Sequence, residues 1–230
     1  ATEKAKDLVR MAVARASLLK PVVERPLEIR QKGLVIGGGV AGLNAALNLA
    51  KQGFEAVVIE KEEELGGLAL RIPHTIEGLD VRDYLHRLIA EVRGNGSIEV
   101  LTGAELSGFK GYKGNFTSEV RTRDNQVHII EHGVTIVASG AVEYRPKEFL
   151  YGGHPGVMTQ LDLGAFIHDR ASEAAGWNRA VFIQCVGSRN DENPNCSRIC
   201  CQGAVKHAIA LKDLNPDMDV IVLYRDMRMY

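Results

Sequence analysis

The sequence predicts an α/β fold: a β-α-β unit, a helix with an antiparallel meander, then a second, partial β-α-β unit. Three observations carry this. Residues 33–60 run apolar strand, glycine turn, Ala/Leu-rich helix, apolar strand. Segments at about 105–112, 115–122 and 126–131 are short and punctuated by Gly and Asn, as in a meander. Residues 180–224 weakly repeat the order of residues 33–60, with a cysteine-bearing loop where the first copy has its glycine turn.

Each element has its own signal. Residues 3–19 place Leu8, Met11, Ala12, Leu18 and Leu19 on one helical stripe, with Glu3, Lys6 and Arg10 opposite and Lys4 and Arg15 interrupting it. Pro21 ends this helix, and the segment to Arg30 reads as an extended arm. A strand over 33–36 leads through the glycine turn to a helix over 41–52, stopped by Gly53, and a strand over 55–60. A helix is expected over 80–93, with Val81, Tyr84, Leu85, Leu88 and Val92 on one face. A strand over 97–101 precedes the meander, and residues 134–138 read as a further buried strand. The second unit combines a strand over 181–184, a helix over 203–214 broken by Pro216, and a strand over 219–224. The expected division is an N-terminal helix and arm (1–30), a nucleotide-binding domain (31–165) and a truncated second nucleotide-type domain (166–230).

Composition bounds the class. The 230 residues are 45% hydrophobic and 25% charged with net charge −1, ordinary for a globular protein and no argument for a nucleic-acid partner. No apolar run approaches the roughly 20 residues of a membrane helix, and the charged N-terminal stretch is not a signal peptide. A cytoplasmic location follows as an expectation. The chain begins with Ala rather than Met and stops soon after a strand, which reads as a piece of a longer polypeptide.

The turn Gly37-Gly38-Gly39-Val40-Ala41-Gly42 satisfies G-x-G-x-x-G between a strand and a helix, and Glu60 closes the next strand at the distance expected of a dinucleotide-binding Rossmann unit. Gly37 turns tightly, Gly39 admits a pyrophosphate to the backbone N–H groups, and Gly42 lets helix pack on strand. Glu60 can accept a ribose hydroxyl. The continuation Glu60-Lys61-Glu62-Glu63-Glu64-Leu65-Gly66-Gly67 resembles the E-K-x-x-x-x-G-G of FAD-binding flavoproteins. Ala138-Ser139-Gly140 resembles their A-T-G motif, with Ser for Thr. The resemblance implies FAD, held at 37–42, Glu60, Lys61, Gly67 and 138–140. Residues 66–75 contain no redox cysteine pair, and C-x2-C occurs nowhere, so a flavin-to-disulfide relay within the chain is not expected.

All four cysteines lie in one stretch, Cys185, Cys196, Cys200 and Cys201, spaced C-x10-C-x3-C-C. Four clustered thiolates suit a tetrahedral zinc or an iron–sulfur cluster. Adjacent Cys200 and Cys201 suit the corners of a cubane, and structural zinc more often uses C-x2-C knuckles; inert or disulfide-bonded thiols are a third reading. Arg189 and Arg198 can offset thiolate charge. No second glycine turn is present, and Tyr224 stands near the position matching Glu60, which suggests that this half has exchanged a nicotinamide site for a redox centre. Lys206 is either a solvated lysine or one approaching a cofactor, and His154, His207 and Trp177 read as loop or packing residues.

The block Gln184-Cys185-Val186-Gly187-Ser188-Arg189, then Asn195-Cys196-Ser197-Arg198-Ile199-Cys200-Cys201 and Lys206-His207-Ala208, resembles the A subunits of the CoB–CoM-type heterodisulfide reductases. The likeness extends over essentially the whole chain. It implies a [4Fe-4S] cluster on Cys185, Cys196, Cys200 and Cys201 near a flavin. It further implies electron transfer between FAD, the cluster and partner subunits of such a complex, fed by an electron donor protein; a homodimer is a further assembly expectation. Two other readings are an NAD(P)H-dependent FAD reductase and a zinc-stapled assembly module.

Overall fold

A computed structural model describes residues 2–21 and 26–229. Strands β1 (Lys32–Ile36), β2 (Glu55–Ile59), β3 (Ile98–Leu101) and β7 (Val134–Val137) form a parallel sheet ordered β3-β2-β1-β7. Side chains alternate across it. Val35, Ala56 and Val58 face helices α2 (Val40–Lys51) and α3 (Val81–Gly94), packing with Leu43, Ala46, Leu47, Leu85, Leu88 and Val92. Leu34, Val57 and Ile59 face the other way, onto Ala104, Val120 and Ile130 of the meander. That meander is β4 (Ala104–Tyr112), β5 (Asn115–Thr122) and β6 (Val127–His132), antiparallel and ordered β4-β5-β6. Asp80 caps α3 by accepting from Asp83 N–H (2.9 Å).

Strand β7 is not buried as the sequence suggested. It pairs with β1 alone at the sheet edge, and Val137 is 71% exposed. Its apolar residues read as core, but only one neighbour covers them.

Strands β8 (Arg179–Ile183) and β9 (Asp219–Leu223) pair in parallel, joined through α6 (Cys200–Leu214). Two further helices, α4 (Gln160–Asp169) and α5 (Ala171–Ala175), complete this unit. Leu163, Ala174, Phe182, Ala204, Leu211 and Met218 form its core. The boundary expected after residue 165 falls inside α4, which packs on this core.

Helix α1 (Thr2–Ser17) forms where its periodicity places it, yet none of its residues is buried, so its apolar stripe is not covered by any of the described residues. The expected arm lies partly outside the described residues, at 22–25. Its later part runs along the meander: Arg30 N–H donates to Gly114 O (3.0 Å), and Asn115 Nδ2 donates to Glu28 O (2.6 Å). Among the described residues no helix is long and apolar enough to cross a membrane.

Candidate functional site

The glycine turn joins β1 to α2, and Gly37, Gly39 and Gly42 are glycine for different reasons. Gly37 has φ 112°, its N–H donates to Ile59 O (2.8 Å), and a β-carbon on it would fall 2.2 Å from Ala138 O. A β-carbon at Gly42 would fall 1.8 Å from Gly37 O. These two are demanded by the protein itself. Gly39 is not: it caps α2 at φ −76°, and a β-carbon there would meet nothing within 4 Å. Its missing side chain leaves open space directly at a helix N-terminus, where backbone N–H groups and the helix dipole favour an anion.

Glu60 is only 8% exposed. Its carboxylate accepts from Gly38 N–H (2.7 Å, Oε2) and from Glu62 N–H (2.9 Å, Oε1). The sequence pattern gives Glu60 one role, toward a ligand; it also ties the end of β2 to the turn. Each oxygen keeps a second lone pair for a ribose hydroxyl. The segment after Glu60 folds back, with Gly66 N–H donating to Gly38 O (2.8 Å) and Gly67, at φ 56°, lying over Gly39. At the end of β7, Ala138 N–H donates to Ile36 O (2.8 Å) and Ser139 follows beside Gly37; Gly140 has φ 68°. The fold thus brings together 37–42, Glu60, Gly67 and 138–140. Lys61 is not drawn in: it is exposed, 3.8 Å from Glu62.

The cysteine loop leaves β8 and ends in α6, so it occupies the place of the first unit's glycine turn. All four cysteines are free thiols. Cys185 is left-handed at φ 62°, as are Arg189 (57°) and Arg198 (63°), a concentration of non-glycine strain in one loop. Cys200 and Cys201 open α6. Cys185 Sγ lies 4.0 Å from Arg189 Nη1, Cys196 Sγ accepts from Arg198 N–H (3.4 Å), and Cys201 Sγ accepts from Arg228 N–H (3.5 Å). The Arg228 N–H favours the Cys201 thiolate, but burial and the nearby Cys200 and Cys185 sulfurs push its pKa above the usual thiol value. Among the described residues no three His, Cys, Asp or Glu side chains are arranged to hold a metal.

Sequence reasoning missed Asp226. It pairs with Arg189 and with Arg228 (2.7 Å), holding the guanidinium that lies beside Cys185. It also missed the Arg71, Glu143, Arg145 and Asp162 cluster, which fastens the turn after Gly67 to α4: Arg71 bonds Glu143 (2.7 Å) and Asp162 (2.9 Å). The signal for α4 was present in Thr159 and Asp162, which form a capping box.

Lys206 is not a freely solvated lysine. Half-buried, it donates to His74 O (3.1 Å), and burial lowers its pKa. His207 packs inside against Gln160 Oε1 (2.5 Å); burial, then the Lys206 charge, lower its pKa to about 4. Trp177 stacks on Phe166 (4.9 Å), and His154 accepts from Gly156 N–H (3.0 Å) within its loop. In the meander, Ser118 Oγ bonds His132 Nε2 (2.8 Å), which looks like a nucleophile and its base. Both are fully buried, with His132 Nδ1 on Val134 O (3.0 Å), so the pair braces the sheet.

A family model described as an NAD(P)-binding Rossmann-like domain matches residues 35–97. Over its whole length the chain aligns, at 31% identity, with the A subunit of the H(2):CoB-CoM heterodisulfide,ferredoxin reductase of Methanothermobacter marburgensis, covering 49% of that protein. This chain is a homologue of the heterodisulfide reductase A subunits. A second such relative, one of the iron-sulfur A subunits of the CoB--CoM heterodisulfide reductase of Methanopyrus kandleri, is 28% identical over the same share. The chain spans about half the length of these relatives. Their alignments run over 320 positions, well beyond its 230 residues, so part of the relatives' matched region has no counterpart here. Among solved structures, L-proline dehydrogenase from P. horikoshii shares the fold, at TM-score 0.50 and 20% identity, covering 88% of this chain and 37% of that one.

Proposed function

We propose that this chain is the flavin-binding, cluster-bearing part of an electron-transfer oxidoreductase of the heterodisulfide reductase type. FAD is held at the glycine turn, and a [4Fe-4S] cluster is held by Cys185, Cys196, Cys200 and Cys201. The carrying observation is the pair of equivalent β-α-β crossings, one ending in the open cradle at Gly39, the other in the strained thiol loop. The donor set fits a cluster in chemistry: free thiols, backbone N–H groups aimed at two sulfurs, and a guanidinium beside a third. Gln184 Nε2, buried next to Cys185 with no hydrogen-bond partner among the described residues, is a further donor for a bound acceptor. All four thiols would have to draw together around the cluster, since among the described residues no three of them are arranged to hold a metal.

Bound FAD supplies the exchange of electron pairs for single electrons. The chain's own part is to bind and fix. Gly39 admits the pyrophosphate to the N-terminus of α2, Gly38 makes room for Leu65 and Glu60 beneath the turn, and Glu60 takes a ribose hydroxyl while holding the turn. Arg189, fixed by Asp226, offsets the charge of Cys185. Other subunits of a heterodisulfide reductase-like complex and an electron donor protein are the proposed partners, with self-association into a dimer a further proposal. Unpaired thiols throughout fit the reducing cytoplasm. Anaerobic purification followed by flavin, iron, sulfide and zinc assays tests the reading. Zinc with neither iron nor flavin would end it in favour of a stapling module, and bleaching of the flavin by NAD(P)H alone would favour a simple reductase.

A further inference from the structure

The stretch leaving Ala138-Ser139-Gly140 crosses directly onto the cysteine loop. Glu143, 13% exposed, is gripped by Arg71 (2.7 Å) and Arg145 (3.1 Å), which fixes the backbone there from the turn after Gly67. The next side chain, Tyr144, lies on Gly187: a β-carbon at Gly187 would fall 2.3 Å from Cε1 and 2.4 Å from Cδ1 of the ring. Gly187 follows Cys185 closely and has φ 69°. It is glycine for two reasons, a left-handed backbone and a ring in the space of its side chain. The ring is half-exposed, with its hydroxyl 3.4 Å from Glu148, so core burial does not explain its placement.

We infer that Tyr144 is a positioning residue, whose ring seats the turn from Cys185 to Ser188 against the FAD unit and so fixes Cys185 relative to the flavin-side motif. The inference rests on the cluster reading above. Functional groups that must keep a set geometry need a supporting shell locked by packing, and the Tyr144 ring packs on the cysteine loop from the segment that leaves the flavin-side motif.

The test uses the full chain, purified anaerobically, as wild type, Tyr144→Phe, Tyr144→Ala, Gly187→Ala and the Tyr144→Ala/Gly187→Ala double variant. Tyr144→Ala and Gly187→Ala are each expected to weaken iron retention by roughly 10- to 100-fold, the range for losing support behind a metal ligand. Tyr144→Phe keeps wild-type iron and wild-type cluster potential, and flavin content is equal in all. The double variant is no worse than Gly187→Ala, because both changes remove one contact. In metal-free protein, alkylation of Cys185 accelerates in both single variants and not in Tyr144→Phe. An unchanged Cys185 alkylation rate in Tyr144→Ala, or additive losses in the double variant, overturns the inference. A wild-type chain that takes up no iron sinks the cluster reading alone, and the alkylation rates still decide the role of Tyr144.

Discussion

Gly39→Ala separates ligand binding from folding, because the protein gives Gly39 no steric reason to be glycine. A methyl there meets no atom within 4 Å, and φ −76° with ψ 179° suits any residue. The folding cost is that of a poorer helix cap, about 0.5–1 kcal/mol. The same methyl fills the approach to the N-terminus of α2, so FAD affinity is expected to fall by at least about 10-fold, which is about 1.4 kcal/mol. Gly42→Ala is the contrasting control. Its methyl would lie 1.8 Å from Gly37 O, and α2 must move away from β1 by more than an ångström to relieve it. Overpacking of that size costs about 1–3 kcal/mol or more, and flavin and stability fall together. Urea unfolding followed by circular dichroism, beside flavin content after gel filtration, reads both quantities. A Gly39→Ala chain that keeps wild-type flavin, or one destabilised as much as Gly42→Ala, would refute the cradle.

Asp226→Asn removes the partner of Arg189 and Arg228. These are partly exposed pairs, so stability changes by less than about 1 kcal/mol, while iron retention falls roughly 10-fold as the guanidinium beside Cys185 loses its anchor. Ser118→Ala strands the buried Nε2 of His132 and costs about 1–3 kcal/mol in urea unfolding, with flavin and iron content unchanged. His207 gives acid sensitivity. Its folded pKa of about 4 lies below the ordinary 6.5, so the unfolded chain takes up the proton first as pH falls. Up to about 3 kcal/mol is present above pH 6.5 and lost as pH drops toward 4. Stability curves at pH 7.5 and pH 5 should show a steeper loss in wild type than in His207→Gln; equal losses would sink this assignment.

The first β-α-β unit was legible because its signals are local: strand, glycines, helix and acid in fixed order. The same held for the meander, where Gly and Asn mark the turns. Strand β7 was misjudged because burial is a property of neighbours, and Val134 to Val137 give no sign of lying at an edge. Helix α4 was missed although Thr159 and Asp162 form its capping box, since short polar signals carry little weight without a strong apolar period. The candidate sites divide similarly. The glycines, Glu60 and the cysteines are chemically conspicuous in sequence. Asp226, Tyr144 and the Arg71 cluster act across long separations, and only the fold shows which loops meet.

The central claim is that one chain carries a flavin in the glycine cradle and an iron–sulfur cluster in the thiol loop. Flavin, iron and acid-labile sulfide measured on the anaerobically purified chain test it most directly, with the four cysteines replaced by serine as comparison. FAD is expected, with four irons and four sulfides to each chain. In the serine variant iron and sulfide disappear and FAD stays. Iron retained without the cysteines, or zinc in place of iron, would contradict it.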